Sequence, residues 1–194
     1  YIKWGYLPGV FWANGYYFDT SIPMDVGMPG LWVRDDLRGR GSIDEASSFR
    51  FTNQRYPGWS ASGNAFDAWP TDRPAPGQMS VSYSEGFFLS SFHPTLGDRA
   101  TGTLKSPPFT LVGDRILLMV AGGHEPDLLR VSLIVDGERR FSETGPRSET
   151  FGRREWDVRA LKGKRAELEV VDLVADNWGH IMVDEIVQWV AAPR

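Results

Sequence analysis

Three histidines, His93, His124 and His180, are the only imidazoles in the 194-residue chain. No two of them stand at a metal-ligand spacing such as His-x-x-x-His. Cysteine is absent, which excludes disulfides, thiolate metal sites and covalent haem attachment within these residues. Four glutamates, Glu138, Glu143, Glu149 and Glu155, come close together, and paired carboxylates are what glycoside hydrolysis needs. They fall on alternating or exposed strand positions, where acids need no catalytic explanation. Serine chemistry on a nucleophile elbow would need Gly-x-Ser-x-Gly, which the chain lacks. Gly122-Gly123 follows an apolar run but leads to Pro126 rather than to a helix start, so it forms no phosphate cradle. Arg139-Arg140, Arg147 and Arg153-Arg154 gather positive charge, which reads first as a solvated sheet face and second as a meeting point for an acidic partner or glycan. Asp35 and Asp36 read as solvated loop acids. The sequence thus predicts no catalytic residue and no metal-ligand set.

The elements that must position these groups read as strands. Trp178-Gly179-His180 is a tight turn that delivers a ring and an imidazole into a strand from Ile181 to Trp189, with glycine permitting the close bend. His180 reads as a structural hydrogen-bonding residue, with Asp172 or Asp184 available to orient it. Arg115 to Ala121 is nearly all apolar, which predicts a strand covered on both faces. Leu129 to Val135 alternates and runs into Asp136-Gly137, a strong hairpin signal, with Glu138 to Thr144 as the return strand. Gly152 to Val158 and Arg165 to Asp172 follow. Upstream, Phe49 and Phe51 alternate with Arg50 and Thr52. Ala61 to Phe66, Gln78 to Ser84, Gly86 to Phe92, Thr101 to Leu104 and Phe109 to Val112 read as further short strands. Ser42 to Glu45 reads as the cap of one helical turn at most. This succession predicts an all-β protein, an antiparallel β-sandwich of jelly-roll type.

Composition agrees. The chain is 41% hydrophobic, enough for a core, and holds 21 Gly and 13 Pro, which suit turns more than helices. A net charge of −4 is of the wrong sign for a nucleic-acid binder. The apolar run Ile116 to Val120 is too short to span a bilayer, so no transmembrane segment is expected. The chain begins at Tyr1 rather than Met, as a processed or partial polypeptide would.

Residues 1 to 48 read as a separate piece. Tyr1, Trp4, Tyr6, Phe11, Trp12, Tyr16, Tyr17 and Phe18 put 8 rings in the first 18 positions, against 13% in the whole chain. Gly5, Pro8, Gly9 and Gly15 break any helical period. Such a segment must lay its rings on something, either its own sandwich or a partner with a half-wet surface. A loop-rich connector follows to residue 48, and the sandwich occupies 49 to 194.

A set of motifs in the second piece resembles a known family. They are Ala100 to Phe109, Ile116 to His124, Leu133 to Gly137, Glu155 to Val158, Gly163-Lys164, Val170 to Asp172 and Trp178 to Asp184. Together they resemble the levan-binding carbohydrate-binding modules of bacterial fructan hydrolases, over about residues 49 to 190. Related modules also occur in large exported bacterial proteins. The resemblance implies a non-catalytic sandwich with a terminal-sugar pocket and a possible structural calcium ion. Carried over residue by residue, it implies sugar contacts from His124, Arg140, Glu149, Trp178 and His180. Glu125-Pro126-Asp127 departs from the Asn and Thr that the family tends to carry after its glycine loop.

Two functions from different classes remain open. In the first, the chain is an accessory subunit, docked by its aromatic arm on a larger extracytoplasmic or membrane-associated assembly, an electron-transfer or photosynthetic complex being one example. In the second, it is a carbohydrate-binding module for a terminal sugar of a glycan such as a fructan. Both place it outside the cytoplasm, periplasmic or secreted, and neither makes it an enzyme.

Overall fold

The computed structural model describes residues 10–13, 16–19, 40–51, 55, 57–81 and 87–193, the first two segments by their backbone alone. Strands dominate. They are β1 (Val10–Ala13), β2 (Tyr16–Asp19), β3 (Gly41–Phe49), β4 (Ser60–Gly63), β5 (Leu89–Ser90), β6 (Gly102–Lys105) and β7 (Phe109–Thr110). Then come β8 (Arg115–Gly122), β9 (Leu129–Val135), β10 (Glu138–Glu143), β11 (Ser148–Asp157), β12 (Arg165–Asp172) and β13 (Ile181–Ala191). Two antiparallel sheets face one another. One runs β10-β9-β12-β6-β4, with β7 also on β12; the other runs β11-β8-β13-β3, with β5 also on β13. The expected antiparallel sandwich is the observed one.

Alternation builds the core. Leu129, Val131, Leu133 and Val135 of β9 and Ala166, Leu168 and Val170 of β12 point inward, and meet Ile116, Leu118 and Val120 of β8. Burial on that scale is what stabilises a sheet pair. β8 is apolar on its other face too, because Leu117 packs with Val187 and Trp189, and Ala121 with Phe88, Phe151 and Met182. The second face is covered in part by the segment that carries Val81 and Phe88. The Asp136-Gly137 hairpin forms with both residues at positive φ, 54° and 78°, the backbone that a two-residue hairpin turn requires.

Three expectations give way. Ser42 to Glu45 is strand, not a helical cap: β3 pairs with β13 through Gln188↔Asp44, Trp189↔Ile43 and Val190↔Ser42, and sheet pairing overrides a local capping signal. Gln78 to Val81 carries no strand, and Met79 stands 57% exposed while Val81 is buried. Ala61 to Phe66 stops being strand at Gly63 and turns, burying Ala65 and Phe66 end-on.

β1 and β2 pair as an antiparallel hairpin, with Phe11↔Phe18 and Trp12↔Tyr17 in register. This is regular structure where the sequence reading had an irregular arm. The rings of Phe11, Trp12, Tyr16, Tyr17 and Phe18, and Tyr1, Trp4 and Tyr6 altogether, lie outside the described residues, as do Asp35 and Asp36. No helix among the described residues is long and apolar enough to cross a membrane.

Candidate functional site

The site grows from the register of three strands. Gly122 of β8 pairs with Ser148 on one side and Ile181 on the other. Glu149, the residue after Ser148, and His180, the residue before Ile181, meet beside it. Close approach needs glycine: a Cβ on Gly123 would lie 1.9 Å from the Trp178 carbonyl oxygen, and one on Gly179 would lie 2.1 Å from that of Val174. Trp178 itself has φ 67°, a strained value for a bulky side chain and a mark of an over-determined place. Its amide donates to Asp98 Oδ2 at 3.1 Å.

Asp98 is presented by the loop between β5 and β6. His93 and Gly97 bond across that loop, N–H to carbonyl, at 3.3 and 2.8 Å. His93 Nδ1 accepts the Thr95 and Leu96 amides, each at 3.1 Å.

His180 is 2% exposed and engaged on both nitrogens. Nδ1 lies 2.6 Å from Asp98 Oδ1 and Nε2 lies 3.3 Å from Glu149 Oε2. Burial alone would push the ring's pKa down. The hydrogen bond and charge of Glu149, joined by those of Asp98, outweigh burial and hold it above the ordinary imidazole value. A carboxylate at each nitrogen favours the doubly protonated ring. Trp178 stacks on the ring with centroids 5.9 Å apart and planes at 19°, and Phe92 meets it edge-on at 5.3 Å. Asp172, wholly buried nearby, accepts from the Val174 amide at 3.3 Å, and burial pushes its carboxyl up to about 7.

A cleft of about 190 Å³ opens next to this cluster. Thr71, Arg73, Gln78, Ser90 and Phe92 line it, with prolines at 74, 76 and 94. Gln78 joins the cleft to the cluster: its Nε2 donates to Glu149 Oε2 at 3.2 Å, and its Oε1 accepts the Ala75 amide at 3.1 Å.

Of the five sugar contacts implied by resemblance, Glu149, Trp178 and His180 come together here. His124 stands exposed on the adjoining glycine loop, with Nδ1 2.9 Å from the Gly145 carbonyl oxygen. Arg140 is elsewhere, exposed on β10 and paired with Glu138 at 3.3 Å rather than with Glu149. The remaining glutamates of the group are also engaged by arginines, Glu143 by Arg154 at 3.1 Å and Glu155 by Arg115 and Arg153. Three of the five arginines in the basic cluster, Arg140, Arg153 and Arg154, are thus paired with acids. Among the described residues, no group of three or more His, Asp or Glu is placed to hold a metal ion. The sequence reading missed Asp98, Gln78 and Phe92. Asp98 lies 82 positions from His180, and neither carries a spacing signal that would join them.

No family model matches the chain. Over 170 residues the chain is 36% identical to a curated protein of Aspergillus rugulosus named "Putative glycosyl hydrolase ecdE". That match takes in 87% of this chain but only 22% of the relative's length. Among solved structures, the K1 cleaved adhesin domain of Lys-gingipain from Porphyromonas gingivalis is similar at a TM-score of 0.46 and 18% identity, over 75% of this chain and 98% of that one. A family 35 carbohydrate binding module from Clostridium thermocellum is similar at a TM-score of 0.35 and 11% identity, over 69% and 99%.

Proposed function

We propose that the sandwich is a non-catalytic carbohydrate-binding module, exported from the cytoplasm, that takes one terminal sugar of a glycan such as a fructan in the Thr71–Phe92 cleft. The observation that carries this reading is the cleft's lining: hydroxyl, guanidinium and amide groups and a single aromatic ring, set among alanines and prolines. Sugars ask for this combination, because hydroxyls take directed hydrogen bonds while C–H faces pack on a ring. Size supports an end-on ligand. At about 190 Å³ the cleft is below the roughly 300–1,000 Å³ of sites for drug-sized ligands, so it suits one ring rather than a chain. The resemblance noted in the sequence and the 36% identity to part of a protein named as a glycosyl hydrolase point the same way. They also suggest that the module serves a hydrolytic partner domain.

Absence of catalysis is supported by the cluster itself. Its imidazole is spent on two carboxylates and is 2% exposed, so no reacting bond reaches it. Calorimetric titration with levan-type and inulin-type oligosaccharides tests the reading. Saturable binding is expected, weakened at least tenfold by Phe92→Ala and by Gln78→Ala with the fold intact by circular dichroism. No heat with any saccharide on a broad glycan panel would overturn it.

A second reading, an accessory subunit held on a larger assembly, is favoured by the 8 rings in the first 18 residues. Removal of residues 1 to 18 should leave the sandwich folded and abolish co-purification with that assembly; full co-purification of the shortened chain would end this reading.

A further inference from the structure

Taking the cleft as the saccharide site proposed above, both of its walls hang on one ring. The first wall is the turn from Arg73 to Gln78. Gln78 holds it closed through the Ala75 amide and fastens it to Glu149, and Glu149 accepts from His180. The second wall runs from Ser90 to Pro94. Phe92 leans edge-on against the same imidazole, and Asp98, at the end of that loop, accepts from its other nitrogen. We propose that His180 is the positioning residue of this site: its doubly protonated ring ties the 73–78 wall to the 90–98 wall, and loss of one proton loosens the cleft and releases the saccharide.

The physical reason is the dryness of the junction. Charged groups face His180 from three elements: Asp98 from the loop, Glu149 from β11 and Asp172 from β12. Phe92 and Trp178 close the remaining sides. A doubly protonated ring gives each of the two bonded carboxylates a donor. A neutral ring can serve only one, and the other is left against a bare ring nitrogen with a single remaining donor, Gln78 for Glu149 or the Trp178 amide for Asp98, a costly arrangement for a carboxylate in a dry site. Glu149 is the one that can move, because its second bond is to the side chain of Gln78 on a surface turn. Its movement would draw the first wall away from the second.

The test begins without ligand. His180 ring resonances are followed by NMR through the titration of the ring. Hydrogen exchange of the Ala75 and Trp178 amides, which report one wall each, is followed over the same range. Exchange at both should accelerate beyond the ordinary base-catalysed rise, with the midpoint of the ring. Affinity for a fructo-oligosaccharide should fall at least tenfold across that midpoint. Glu149→Gln keeps an acceptor for both His180 and Gln78 but removes the charge, so ring, exchange and affinity midpoints should all move to lower pH together. A merely structural histidine would shift melting temperature without moving an affinity midpoint. Walls that do not follow the ring overturn the proposal, whatever the saccharide result. Walls that follow the ring in a protein that binds no saccharide support the coupling and remove the sugar reading instead.

Discussion

Trp178 lies nearly parallel to His180, its ring centroid 5.9 Å away and the planes 19° apart. The stack covers the imidazole with an indole face, an arrangement in which its cationic form gains from the indole's quadrupole. Trp178→Ala should therefore lower stability by about 1–3 kcal/mol, read as a drop in melting temperature. It should also bring the His180 midpoint down, since the protonated ring loses the indole face that favours it.

Gly123→Ala probes the same turn from behind. The added methyl would lie 1.9 Å from the Trp178 carbonyl oxygen, so either the glycine loop or the turn must shift. Saccharide affinity should fall at least tenfold although residue 123 lines no part of the cleft. Unchanged affinity in calorimetry would show that the turn does not set the cleft.

Stability should decline as pH rises from about 4 to 8. Burial, with the Asp184 charge, pushes the Glu185 carboxyl up to about 8, and burial pushes Asp172 up to about 7. Each folded-state value lies above the unfolded one, so the folded chain holds more protons across this window and loses stability with increasing pH. His180 acts in the same direction: its contribution is complete below the unfolded imidazole value and is lost as pH passes the folded one. Chemical denaturation at several pH values checks this. Glu185→Gln and Asp172→Asn should each flatten part of the decline and raise the melting temperature at pH 8.

Gln188 fastens the Thr110–Gly113 crossover to β13. Its Oε1 accepts the Val112 and Gly113 amides at 2.8 and 2.9 Å, and its Nε2 donates to the Ser47 and Thr110 carbonyls at 3.3 and 3.1 Å. Gln188→Leu strands these groups in a buried place and should cost about 3 kcal/mol, measured by urea denaturation.

Arg140→Ala is the contrasting case. Arg140 is exposed and pairs with Glu138 of the same strand, so the change should stay within about 0.5 kcal/mol. Saccharide affinity should not change.

What could be read from the residues was whatever period and turn chemistry record. Alternation in β9 and β12, the unbroken apolar run of β8 and the Asp136-Gly137 turn each named an element correctly, because each signal is local. β3 was misread because its partner, β13, is more than 130 positions away, and only pairing makes Ser42 to Glu45 extended. The first hairpin had a signal that went unused: Asn14-Gly15 stands between β1 and β2, and such pairs favour the positive φ of hairpin turns. At the site, Trp178 and His180 were visible as a turn with unusual residues. Asp98 was not, since an aspartate in a loop looks the same whether it faces water or a buried imidazole. Gln78 and Phe92 were read as strand residues, and their convergence exists only in three dimensions.

β13 has a consequence for how the molecule is made. It sits between β8 and β3 in its sheet, yet it comes last in chain order among the described strands. Nascent polypeptide that has emerged only as far as β12 lacks the middle of one layer. The sandwich can close only after synthesis has passed Ala191, and until then Leu117, Leu118 and their neighbours lack the strand that packs beside them.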